Sequence, residues 1–457
     1  MSTDITSRVL QKVLVIIRKF RFDAVVLVVL FLLLTGNGLG QKKPVNEHFR
    51  VDSIYITGNK STKEFIIFRE LTFAPGDTVN RSILQYNRER IYSLGIFNTV
   101  ELLRESSGNS NSVNIFVEEG WYLWPIPFID FKDNDLKKIS AGMDLRLENF
   151  QGINDDLRLK FALGYDPEVT LTYLLPYIWT DPDISFESIT TYGTYKNNDL
   201  AYEIYYGDEF EYKTIKQRFG LGYRLSLYSR VIYYPEFIYS ELPAELAPIS
   251  AGNTTLYRLI SNSVKYWYDS RDLKQFPKNG TSLGIEYAFK KATQGDIRYS
   301  NLIIDYRTYD KLFAGINYRY RLYTKQSIGN IIPSFDLAYI GYADYIRGNF
   351  NEKIQGKNSY LTSLEFTKDL ITEWIINYDF PVIPSSMQTF RTALMLEAFF
   401  DAGTTANSNS EITKSRFQSG IGVGIVFLVL PYDVLRIEYG FNNRMKAEFK
   451  IDLGLSF

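Results

Sequence analysis

Cysteine is absent from the 457 residues, and a single histidine, His48, is present. The first absence excludes a disulfide framework, a thiolate metal site and a lipid-modified cysteine after an export signal. The second leaves little for chemistry that depends on imidazole. An excess of one charge is missing too: 51 Lys and Arg stand against 52 Asp and Glu, a net charge of -1, so nothing in the balance points to nucleic acid. Mean hydropathy is only -0.16, which excludes a helical membrane bundle. An apolar run from Ala24 to Leu34 follows Arg18, Lys19 and Arg21 and leads into small residues up to Gly40. It falls short of the roughly 20 apolar residues of a spanning helix, so residues 1–40 are expected to form a cleaved export signal and not a retained anchor.

Aromatic residues, by contrast, make up 16% of the chain, with 35 Tyr and 32 Phe. That abundance suits a protein whose rings gird two membrane interfaces. The end of the chain shows how it would cross. From Met445 to Phe457, Met445, Ala447, Phe449, Ile451, Leu453, Leu455 and Phe457 alternate with Lys446, Glu448, Lys450, Asp452, Gly454 and Ser456. This is a strand with lipid on one side and water on the other. Every backbone N–H and C=O in hydrocarbon needs a partner, so one such strand implies a closed barrel. The residues from Trp121 to Phe457 suffice for about 16 antiparallel strands, giving an all-β transmembrane barrel over 121–457. The pattern continues upstream. Leu435, Ile437, Tyr439 and Phe441 face outward against Arg436, Glu438 and Gly440. Phe417, Ile421, Val423, Ile425 and Phe427 oppose Gln418, Gly420, Gly422 and Gly424; Ile316, Tyr318, Tyr320 and Leu322 oppose Asn317, Arg319 and Arg321. The inward glycine row has two readings, a partner packed into it or curvature of the sheet.

Residues 48–119 read as a separate small α+β module. A strand begins at Val51, Ile54 and Ile56. Ser61 or Thr62 is placed to cap a helix carrying Phe65 to Leu71, and Asn80 a second one that carries Ile83 to Leu94 and stops at Gly95. Strands Thr99 to Leu103 and Val113 to Glu118 follow, parted by a polar turn from Glu105 to Ser112. This order, with ITGNKST, FRELTFAPGDTVN, YSLGIFNTVEL and VNIFVEEG, resembles the POTRA domain of BamA/TamA-type outer-membrane proteins.

Inside the barrel, Tyr345-Ile346-Arg347-Gly348-Asn349-Phe350 interrupts the alternation as a loop, while strand parity turns Glu365, Glu397 and Asp401 toward the lumen. An arginine fork bonds two carboxylates in fixed geometry, which a lysine cannot. The loop, Ser363-Leu364-Glu365-Phe366 and Phe400-Asp401-Ala402-Gly403 resemble the signature motifs of the same family, with Asn349 inserted before Phe350 and a tighter spacing between Phe400 and Asp401. Tyr268 to Leu283, YDSRDLKQFPKNGTSL, resembles another family strand and turn. The resemblance implies a loop lock in the lumen made by Arg347, Gly348, Phe350, Glu365, Asp401 and Gly403. It also implies that Phe449, Leu453, Leu455 and Phe457 belong to a C-terminal signal read by the assembly machinery; the bare alternative for Phe457 is an interface ring.

Little points to catalysis. Gly280-Thr281-Ser282-Leu283-Gly284 matches Gly-x-Ser-x-Gly, but it opens an alternating strand with no helix behind it, and His48 lies before the barrel. Glu118-Glu119 and Asp155-Asp156 read as strand ends and turns. No enzyme activity, metal or cofactor is expected.

The resemblance implies location in the bacterial outer membrane with the POTRA domain in the periplasm, and action in inserting outer-membrane proteins or moving polypeptides. Its expected partners are the lipid bilayer, unfolded outer-membrane or exported clients, and periplasmic or lipoprotein partners at the POTRA domain. A weak seam between the first and last strands would expose edges able to receive a client, and Thr99 to Leu103 or Val113 to Glu118 would offer a POTRA edge. Alternative functions are a passive channel, a lipid-handling barrel or secretion of one dedicated partner.

Overall fold

The computed structural model describes residues 47–453 except 133–136, 180–182, 197–198, 200–201, 203, 206–209, 314, 330, 342–343, 351, 378–379, 382–387, 414–416 and 431–432. The expected export signal over 1–40 lies outside the described residues, as do Leu455 and Phe457.

Alternating residues with one apolar face give sixteen antiparallel strands in unbroken sequence order, a transmembrane barrel running from Leu123–Phe131 to Ala447–Leu453. Outward side chains such as Leu171, Phe237, Val264, Tyr287, Leu322, Ile421 and Ile437 are exposed, as a lipid-facing surface requires. Inward charges pair along the wall, as Asp144 does with Arg158 and Asp305 with Arg321. Residues 329–357 connect the eleventh strand (Ile316–Ile328) to the twelfth (Asn358–Asn377) and include a hairpin of Ala338–Ile340 with Ile354–Gly356. The last strand is shorter than its alternation suggests: Met445 lies in the preceding turn with φ +58°, its N–H bonded to the Asn442 carbonyl.

The N-terminal domain has a three-stranded sheet in the order Ser53–Thr57, Ser110–Glu119, Phe97–Ser107, the first pair parallel and the second antiparallel. Helices Glu64–Phe68 and Arg81–Tyr92 cover it, burying Ile67 and Ile91 against Val113, Ile115 and Val117. Asn80 caps the second helix by accepting the Ile83 N–H at 3.0 Å. Neither Ser61 nor Thr62 caps the first, whose N-cap is Lys63. Their N–H groups go instead to the Glu119 carboxylate, at 2.9 and 2.7 Å, because the end of the central strand delivers a charged acceptor there. The polar turn is also shorter than expected, since the flanking strands run to Ser107 and resume at Ser110 around Gly108 at φ +61°. Because Ser110–Glu119 is paired on both sides, Val113 to Glu118 cannot offer an edge; Phe97–Ser107, which contains Thr99 to Leu103, is an edge strand.

This domain seats against one mouth of the barrel, the near mouth. Arg391 holds Glu89 through two bonds of 2.7 and 3.0 Å. Arg69 reaches Asp183 at 3.1 Å and Arg224 reaches Glu70 at 3.1 Å. The turn inside Tyr268 to Leu283 is a further dock: Tyr86 donates to the Ser270 carbonyl at 3.0 Å, and the Lys274 N–H to Ser93 Oγ at 3.0 Å. Lumen-facing Ala393, Met395, Val426, Leu428, Leu430 and Val434 join the domain's apolar core. At the opposite, far mouth, Tyr202, Leu246, Tyr257, Ile297 and Ile332 are buried together with Phe335 against them. Beside Phe335, Asp336 bonds Lys290 at 2.7 Å.

Candidate functional site in the barrel lumen

Strand parity brings the site together. Odd residues of the thirteenth strand (Thr389–Ala406) and even residues of the fourteenth (Gln418–Leu430) and fifteenth (Asp433–Asn442) face inward, where the 329–357 loop lies against them. Arg347, nearly fully buried, holds Asp401 with three bonds: its backbone N–H at 3.0 Å and Nε at 2.7 Å to Oδ2, and Nη2 at 2.9 Å to Oδ1. Nη1 spreads over Glu397 at 2.6 Å, Glu365 at 3.1 Å and Glu438 at 3.4 Å. The guanidinium also stacks over Phe399, 3.9 Å from the ring centroid. Two further cations share the acids, Arg319 on Glu365 at 2.9 Å and Arg436 on Glu438 at 2.8 Å. Arg319 in turn lies 3.5 Å over Phe276, from the docking turn.

The glycines admit the loop. A Cβ at Gly420 would fall on the Arg347 carbonyl oxygen, one at Gly422 on the Phe399 ring, and one at Gly440 would lie 3.1 Å from the Gly348 nitrogen. The loop therefore packs into the row at Gly420, the Phe399 ring at Gly422, while Gly424 meets only Ile437 and Glu438 of the neighbouring strand. Gly348 has φ +91°, and a side chain there would meet the Phe441 backbone within 2.8 to 3.1 Å. Gly403 is equally closed, its missing Cβ 2.9 Å from the Tyr360 carbonyl and 3.2 Å from Ile346.

Phe350 stands apart from the arginine cluster. Its N–H donates to Glu448 at 2.7 Å, and its ring lies 5.2 Å from Tyr345 and 4.7 Å from Lys450 Nζ. Tyr345 donates to Asp452 at 2.6 Å. The loop thus also binds the inner face of the last strand. Of the proposed C-terminal signal, Phe449 is 62% exposed on the lipid side, and Leu453 is the last described residue of the last strand. Sequence parity turns Glu397, Glu438, Arg319 and Arg436 inward without assigning them to Arg347, and Phe399, Tyr345 and Glu448 carry no motif. For the strand residues among them the signal is inward parity; Tyr345, in the loop, has none. Thr281 to Gly284 lie within the ninth strand, Gly280–Ala292.

Comparison with known proteins agrees with this architecture. Residues 149–457 match the Omp85 superfamily domain, and residues 49–120 match the POTRA model described as a surface antigen variable number repeat. No curated protein matches. Among solved structures, BamA from Haemophilus ducreyi lacking POTRA domains 1–3 superimposes with TM-score 0.51 at 15% identity, covering 89% of this chain and 84% of that one. CdiB from Acinetobacter baumannii gives 0.48 at 13% identity over 88% and 73% of the two chains. CdiB from Escherichia coli gives 0.49 at 10% identity over 92% of each. With the family's domain matched over most of its barrel, a POTRA domain ahead of it and an arginine loop seated in the lumen, this chain belongs to the Omp85 superfamily.

Proposed function

We propose that the chain resides in a bacterial outer membrane with its POTRA domain in the periplasm, and that it inserts outer-membrane polypeptides into that membrane or moves polypeptides across it. One observation carries the reading. Among the described residues no hydrogen-bond register joins the first strand to the last, so the sixteen-stranded sheet keeps two edges. Unpaired backbone groups are costly in hydrocarbon, and a barrel that retains them has edges to lend to another strand. An open diffusion channel is poorly supported. The loop lies along one wall of the lumen, the POTRA domain seats on the near mouth, and the Phe335 cluster packs at the far one.

Arg347, Gly348, Phe350, Glu365, Asp401 and Gly403 then act as a lock that keeps the loop inside. Phe449, Leu453, Leu455 and Phe457 serve the chain's own assembly. The reading assigns no catalytic role, since the buried carboxylates are engaged by arginines. The test is a quantitative outer-membrane proteome after depletion of the protein. Many barrels falling together is the expected result. Loss of one exported protein or one lipid species alone would replace general assembly with a dedicated transporter.

A further inference from the structure

The POTRA domain and the barrel enclose a cavity of about 350 Å³ at the near mouth, within the size range of small-ligand sites. Its lining carries six basic side chains against three acidic ones. Two of the bases belong to the domain, Arg69 at the end of the first helix and Arg90 in the second; the others come from the barrel and its docking turn. Arg224, Arg230 and Trp267 have the parity opposite to the outward Tyr223, Tyr233 and Val264 on the same strands, so they face the lumen. The cavity therefore opens to water and not to lipid.

The acids are already engaged. Asp183 takes Arg69 at 3.1 Å, Asp269 takes Arg271 through two bonds of 2.8 Å, and Glu70 is shared by Arg90 at 2.6 Å and Arg224 at 3.1 Å. Arg230 and Lys274 are left over, their side chains without a hydrogen bond or ion pair among the described residues. The surplus of positive charge is felt around them. Burial, with Arg224 close by, lowers the pKa of Arg69 in spite of Asp183 and Glu70. Lys274, in the turn outside the strands, is lowered likewise by burial and by Arg230 and Arg90, against Glu70 and Asp269. Cations that depress one another's pKa stand in a site short of negative charge, which a bound anion would supply.

Guanidinium forks match the geometry of phosphate oxygens. An extended acidic peptide fits less well, because the wall strands from Glu168–Trp179 to Leu256–Asp269 are each paired on both sides and offer it no backbone edge. We propose that this cavity binds a small, water-soluble anion carrying phosphate groups, and that the bound anion clamps the POTRA domain to the near mouth by bridging Arg69 on the domain with Arg230 and Lys274 on the barrel. Since Arg230 and Lys274 make no other polar contact, their removal weakens the ligand and leaves the docking ion pairs in place.

The full chain in phosphatidylcholine vesicles is titrated with inorganic pyrophosphate by calorimetry at about 0.15 M salt, beside the same chain carrying Arg230→Gln with Lys274→Gln. Saturable binding is expected, about a hundredfold weaker in the double variant, the factor for two lost charge-assisted hydrogen bonds. At about a hundred times its dissociation constant for the unaltered chain, pyrophosphate should slow protease cleavage in residues 119–122 about a hundredfold there and no more than about twofold in the double variant. No saturable binding, or equal affinity in the two chains, overturns the site. Binding without slower cleavage overturns the clamp. Binding of penta-glutamate but not of pyrophosphate replaces the phosphate ligand with an acidic polypeptide. Loss of pyrophosphate binding when phosphatidylglycerol is added to the vesicles overturns the soluble source, a lipid headgroup then holding the site.

Discussion

Replacing Arg347 with alanine strands two carboxylates in particular. Glu365 and Glu438 retain Arg319 and Arg436. Asp401 would keep only the backbone N–H of residue 347, and Glu397 has no other hydrogen-bond partner among the described residues. All four acids are at most 2% exposed, so water does not screen the loss. An exposed ion pair contributes about 0–1 kcal/mol, but removing one partner of a buried pair costs about 3–5 kcal/mol. At about 1.4 kcal/mol per factor of ten, the ratio of seated to released loop should fall by about two to three and a half powers of ten. The penalty falls on the loop, because the strands keep their own ladders. Amide hydrogen exchange across Ile346 to Phe350 is the assay, with exchange in the fourteenth strand as the internal reference. Arg347→Lys should lie between the two, since an ammonium cannot span Asp401 and Glu397 in fork geometry. Adding Asp401→Asn and Glu397→Gln to Arg347→Ala should recover part of the protection by removing the stranded charges. Loop exchange in Arg347→Ala within threefold of the unaltered protein would refute the reasoning.

Three other outcomes are expected. Gly420→Val places a side chain on the Arg347 carbonyl, so the loop must lift by the same route as in Arg347→Ala; protease nicking between residues 329 and 357 of the membrane-embedded protein should rise, with a cost of at least about 1–3 kcal/mol. Arg391→Met leaves Glu89 half of a largely buried pair and should loosen the POTRA domain from the near mouth by about 2–5 kcal/mol, read as faster cleavage in residues 119–122, with Glu89→Gln added to recover part of it. Burial alone would raise the pKa of Asp336, but Lys290 and Lys325 outweigh it and hold the carboxyl well below its usual range. The far-mouth cluster therefore has the full benefit of this charge above the ordinary aspartate pKa of about 3.9 and loses it as acid approaches the lower folded value. Asp336→Asn should loosen the cluster at neutral pH and abolish that acid dependence, measured by protease nicking of the loop against pH.

Much of the architecture is legible in the residue order because a strand's two faces are written locally, every second residue. Gly420 to Phe427, Arg436 to Phe441 and Ile316 to Leu322 each declare lipid and lumen sides without reference to any neighbour. The module before the barrel is legible for a similar reason, with Asn80 and Gly95 marking the helix between them. Caps are harder. Thr62 precedes a helix in the expected way, yet its N–H answers to Glu119, 57 residues away. The glycine row shows the same boundary: its spacing announces room beside the wall, and only the folded loop shows that a carbonyl of Arg347 occupies it.

By itself, then, the sequence determined the barrel, the domain ahead of it, and which side of the wall the charges of its later strands face, because alternation and turn chemistry act over a few residues. Tertiary structure alone decided that Arg347 gathers Glu397 and Glu438 as well as Glu365 and Asp401, and that Ser110–Glu119 is an interior strand. Those facts depend on register and strand order. Both are set by pairings between separate segments, 59 residues apart for Ser53 and Ser112, and a one-residue slip in a ladder would send every side chain of that strand to the opposite face.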